Sequence, residues 1–163
     1  MDITVADSYI AELQTIYQRY KQRRIQGPNK REAGAGSMFS SLFQRNPQSQ
    51  VVHLAFLDDV ERVVTELADF LAQWVSAEPE RCREYAHHAL HVLFLPKPYE
   101  APTDFERFLA IAEFQGEALF PYASREELQR IYDEQLERTP KRFMLPNQEK
   151  MVKYLGTLLS ESN

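Results

Sequence analysis

The sequence predicts an all-α fold: an antiparallel bundle of about six helices with a C-terminal helical pair and a flexible basic loop after the first helix. Three observations carry this. Apolar residues recur at helical spacing along most of the chain, and no segment sustains the period-two alternation of a half-buried strand. Proline, glycine and capping pairs divide those periodic stretches at helix-length intervals. At 163 residues, 44% apolar and 26% charged, the chain is long enough to bury one core and too apolar for general disorder, so a single domain over 1–163 is expected.

The first helix carries Ala6, Ile10, Leu13, Tyr17 and Tyr20 on one stripe, then becomes charged all round, so its end is expected near Arg24. Residues 26–37 contain Gly27-Pro28 and Gly34-Ala35-Gly36 and read as a mobile basic loop. A short apolar turn follows, with Met38, Phe39, Leu42 and Phe43 on one side. Asn46-Pro47, an N-cap with a first-turn proline, opens the longest helix, about 48–75, whose stripe runs through Phe56, Val60, Val63, Val64, Leu67, Leu71 and Trp74.

Glu78-Pro79 starts the next helix, and Cys82, Tyr85, Ala86, Ala89, Leu90 and Leu93 face the core before Pro96 ends the pattern. Thr103 with Glu106 and Ser124 with Glu127 have the spacing of capping boxes for two further helices. In the first of these, Phe105, Phe108, Leu109, Ala112, Gly116 and Leu119 form one stripe. Ile111 and Phe114 add apolar groups on other sides, which points to burial within the monomer or to an interface. A final helix, about 147–160, carries Met151, Leu155, Leu158 and Leu159.

Charge is distributed unevenly. Arg19, Lys21, Arg23, Arg24, Lys30, Arg31 and Arg45 face a single acid, Glu32, within their stretch; the segment therefore carries +6 and, at −5 overall, the rest of the chain carries −11. An acidic body argues against wrapping nucleic acid with the whole surface, while a local basic patch remains able to hold phosphate. The lone cysteine, Cys82, excludes an intramolecular disulfide and favours a reducing compartment. With no apolar run near the ~18 residues of a membrane span and no signal-peptide pattern at Met1-Asp2-Ile3-Thr4, a cytoplasmic location without a membrane span is expected.

Candidate chemistry is sparse. His87 and His91 have the i, i+4 spacing that lets two imidazoles share a metal, and Glu84 with His87 makes a Glu-x-x-His step. All three lie opposite the apolar stripe of their helix and are expected in solvent, with no second such motif to complete a metal centre. His53 lines up with the core side of the long helix. Cys82 falls on an apolar stripe, where a thiol is packing rather than a nucleophile, and no Gly-x-Ser-x-Gly elbow occurs. The pairs Asp58-Asp59 and Glu126-Glu127 read as exterior or first-turn residues that favour the helix dipole. Asp58, Asp59, Glu61, Glu66, Asp69, Glu113 and Glu117 read as exposed acids.

The reading that remains is a non-enzymatic helical protein that binds another protein, or a second copy of itself, with no cofactor. Its contact residues are expected to be Arg19, Lys21, Arg23, Arg24, Lys30, Arg31 and Arg45, with Phe39 and Phe43. The alternative is a nucleic-acid-associated regulator using segment 19–45, where Tyr17, Tyr20, Phe39 and Phe43 could stack on bases. A lesser alternative is a metal-binding bundle using His87 and His91.

Overall fold

A computed structural model describes residues 1–25, 47–94, 104–139 and 144–161. Among them the protein is all-α. Its helices are α1 (Ile3–Ile25), α2 (Pro47–Trp74), α3 (Pro79–Leu93), α4 (Asp104–Glu113), a 3-10 segment (Phe114–Tyr122), α5 (Arg125–Arg138) and α6 (Pro146–Glu161). None of the described helices is long and apolar enough to cross a membrane.

Helices α1 and α2 run antiparallel. Tyr9 packs on Phe70, Arg62 donates to Glu12 at 2.5 Å, Tyr17 meets Phe56 edge-on, and Tyr20 lies beside His53. The stripe that orders this pairing is the one read from the sequence: Ala6, Leu13, Tyr17 and Tyr20 are buried against Phe56, Val60, Val63, Val64, Leu67 and Leu71. A tight turn at 75–78 reverses the chain, and Pro79, which needs no N–H partner, occupies the first turn of α3. The Tyr85 hydroxyl donates to Asp7 at 2.9 Å and ties α3 to the start of α1.

The 3-10 segment is the hub of the molecule, packed against α2, α3, α4 and α6. Periodicity alone carried its stripe on as one α-helix through Leu119; the structure instead changes winding at Phe114. Two residues account for this. Under three-residue winding Gly116 and Leu119 share one face, both buried, and Gly116 sits so close to α3 that a Cβ there would lie 2.9 Å from Phe94 Cε2. Pro121 near the segment's end cannot donate to a helical ladder.

Helices α5 and α6 form an antiparallel pair. Arg125 donates to the Leu159 carbonyl at 2.8 Å near one end, and Gln148 donates to Gln135 Oε1 at 3.1 Å near the other. Ser124 caps α5 by accepting from the Glu127 backbone N–H at 3.2 Å, as its spacing predicts. The reciprocal half of the box is absent because the Glu127 side chain is used elsewhere.

Candidate functional site

The C-terminal end of α1 and the N-terminal end of α2 build a rigid aromatic platform. The Tyr20 ring is sandwiched between Phe56, at 3.9 Å between centroids, and Phe105 of α4, at 4.4 Å. Its hydroxyl bonds Nδ1 of His53, whose ring stacks on Phe108 with centroids 4.4 Å apart and planes 2° from parallel. Tyr20 and Phe56 are buried and His53 half-buried, so three helices are locked together at this end.

Two cations stand over that platform. Arg19 and Arg23, one turn apart on α1, line a groove of about 140 Å³ with Ile16, Tyr20, Val52, Ala55, Phe56 and Asp59. Both arginines are exposed, and neither forms an ion pair among the described residues. Ala55 on the α2 side of the groove is exposed, and Ile16 and Val52 are half-buried, so the groove carries an aliphatic edge of its own; Val51 and Leu54, at 65% and 56% exposure, lie outside its lining. Lys21 is exposed too, but about 200° round the helix from Arg19 it leaves the groove side. Arg24, Lys30, Arg31, Phe39, Phe43 and Arg45 lie outside the described side chains, as do the loop 26–37 and the apolar turn at Met38.

The histidine face of α3 is built differently from its expectation. His87, His88 and Glu84 are exposed, as is His91, so the solvent-facing prediction holds. His87 also reaches another helix: its Nδ1 lies 3.3 Å from Glu127 Oε2 on α5. Glu127 stands in the first turn of α5, one of the two places read for it, but at 6% exposure it is not on the exterior. Its burial is tolerated because Arg130 grips both carboxylate oxygens, at 2.6 and 3.2 Å. Burial alone pushes this carboxyl up, but the Arg130 hydrogen bonds and charge, with the contact to His87, outweigh it and hold it below the ordinary glutamate range. His53 packs against Tyr20 and Phe108, and among the described residues no group of three or more His, Cys, Asp or Glu side chains is arranged to hold a metal ion.

Glu113 is a second buried acid. Its expected place on the surface is overturned by 4% exposure, and Arg138 of α5 donates to it at 3.1 Å. Tyr17 lies within its electrostatic reach; burial foremost, then the Glu113 charge, pushes the tyrosine hydroxyl well above its usual range. Cys82 is buried, as expected, with its thiol 3.6 Å from the Leu71 carbonyl, and burial raises its pKa away from the reactive thiolate. Between α5 and α6 a second cavity of about 330 Å³ is lined by Tyr132, Met144, Glu149, Val152, Lys153 and Gly156, with Lys153 paired to Glu149 at 3.2 Å.

Comparison with known proteins finds no matching family model, no similar curated protein and no similar solved structure.

Proposed function

We propose that this chain is a non-enzymatic, cytoplasmic binding protein that captures an acidic, partly apolar segment of another protein at the α1–α2 end. The observation that carries the reading is the juxtaposition of Arg19 and Arg23 with the accessible aliphatic side chains of Ile16, Val52 and Ala55 over the Tyr20–Phe56 floor. The two guanidinium groups supply steering and hydrogen-bond donors, the aliphatic edge supplies area to desolvate, and the stacked floor keeps both in fixed relation. The cationic groove lies on a chain of net −5, so its local sign differs from that of the molecule as a whole.

Burial of the rings favours a protein over a nucleic acid. Stacking on bases requires an open aromatic face, whereas Tyr17 is 4% and Tyr20 3% exposed, and both faces of Tyr20 are covered by phenylalanines.

The test is quantitative co-purification with the full chain, comparing wild type, Arg19→Glu/Arg23→Glu and Ala55→Asp, alongside titration with a single-stranded oligonucleotide. The reading expects one polypeptide enriched by wild type and lost from both variants while helicity by circular dichroism is unchanged. Steeply salt-dependent oligonucleotide binding lost in the arginine variant would replace it with the nucleic-acid reading. A second copy of this chain as the enriched species would make the site a self-association surface.

A further inference from the structure

The outer face of α3 holds a second arrangement that the binding reading does not use. His87 and His91 are one turn apart, their ring centroids separated by 6.2 Å and their planes 27° from parallel. Neither ring is buried, and His91 forms no hydrogen bond or ion pair among the described residues. His87 is oriented from the other side by Glu127, a carboxylate that is itself fixed: buried to 6% exposure, gripped by Arg130, and 3.3 Å from Nδ1 of the imidazole. A carboxylate acceptor selects the neutral tautomer with its proton on Nδ1. The Nε2 lone pair is then left available to a metal ion.

We propose that His87 and His91 form an exchangeable chelate for a divalent transition cation of borderline softness, Zn²⁺ or Cu²⁺, with Glu127 as the positioning carboxylate of His87. Two imidazoles bound to one tetrahedral ion through bonds of about 2.0–2.1 Å have centroids about 5 Å apart, so the pair must close by about 1 Å, a rotation that exposed rings can make. His88 is excluded from the chelate. It lies about 100° round the helix from His87, and its Nε2 faces Glu84 at 3.8 Å.

The ligand count sets the character of the site. Structural zinc is held by four protein ligands and catalytic zinc by three. Two histidines leave the remaining positions to water, which makes an open, exchangeable site and agrees with the lack of any three-ligand cluster among the described residues. Because the imidazoles must be neutral to bind, affinity falls on acidification.

The experiment is calorimetric titration of the untagged full chain with zinc chloride and, separately, copper(II) chloride near neutral pH. One ion per chain is expected. His87→Ala and His91→Ala should each weaken binding by about tenfold or more, and Glu127→Gln by about tenfold. His88→Ala should leave it unchanged. Imidazole nitrogen NMR shifts supply the readout that a merely structural role of Glu127 would not move: His87 should carry its proton on Nδ1 in wild type and lose that preference in Glu127→Gln. If Glu127→Gln fails to fold, His91→Ala, an exposed change that touches no ion pair, decides alone. Absence of saturable binding, or binding unaltered in His91→Ala, or lost equally in His88→Ala, would overturn the proposal.

Discussion

The Tyr20 ring lies flat on that of Phe56, their centroids 3.9 Å apart and their planes 4° from parallel. This contact joins the last turns of α1 to the first turns of α2, so it sets where Arg19 and Arg23 stand relative to Val52 and Ala55. Loosening it would blur the groove even with every groove residue present. The aromatic end is thus the structural support of the proposed binding surface.

The two buried tyrosines of α1 should respond oppositely to loss of their hydroxyls. Tyr20→Phe keeps both stacks but removes the bond to His53, and should cost about 0.5–1.5 kcal/mol. The Tyr17 hydroxyl is buried with no hydrogen-bond partner among the described residues, so Tyr17→Phe should be neutral or stabilising by up to about 1 kcal/mol, since it removes an unsatisfied polar group. Urea denaturation of the two variants checks the difference in sign.

Two glycines give a second opposed pair. At Gly116 a methyl group would meet Phe94 at 2.9 Å, Leu90 at 3.3 Å and Leu93 at 3.4 Å, so Gly116→Ala should destabilise by about 1–3 kcal/mol as the 3-10 hub is pushed from α3. At Gly156, inside α6, the nearest atom is Tyr132 Cε2 at 3.8 Å, an ordinary contact. Gly156→Ala should therefore stabilise by about 0.5–1 kcal/mol through helix propensity. Thermal melts monitored at a helical wavelength separate these outcomes.

Acid stability should report the Glu127 cluster. The folded carboxyl lies below its unfolded value of about 4.5, so the native state binds fewer protons than the unfolded chain between those two values. The resulting stabilisation is fully present above the unfolded pKa and is lost as pH falls through the folded one. Wild type should lose stability over that acid range, and Glu127→Gln should be less stable at neutral pH with a flatter dependence there. Equal slopes in urea midpoints measured from pH 6 to 3 would contradict the assignment.

Much of the fold was legible because the long helices each bury one face. Leu13, Val60, Leu67 and Leu90 are fully buried, and their spacing marks the buried side without knowledge of the partner helix. Glu78-Pro79 and Ser124 marked helix starts because capping chemistry is local. The winding change at Phe114 was less visible, since it depends on Gly116 meeting Phe94 across the fold; Pro121 and the off-stripe Phe114 were its only local signs.

The acids show the same division. Glu113 reads as exposed because charge normally is, and Glu127 as an exterior or first-turn residue; the burial of both depends on arginines. Arg130, three residues from Glu127, was a local signal, whereas Arg138 for Glu113 and His87 for Glu127 come from other helices and leave no trace in spacing. Of the site, Arg19 and Arg23 were legible as part of a basic run. Val52 and Ala55 leave no such trace, because they fall outside the helix's core stripe and gain meaning only once α1 is placed beside them.

The central claim is that the α1–α2 end is the contact face, and site-specific photo-crosslinking in source cells tests it most directly. A photoreactive residue would replace Ala55, exposed on the groove, and in a separate variant Asp69, exposed about four turns further along α2. The account predicts one discrete polypeptide adduct from position 55, abolished by Arg19→Glu/Arg23→Glu, and none from position 69. Adducts of equal yield from both positions, or an adduct at 55 that survives the arginine changes, would contradict it.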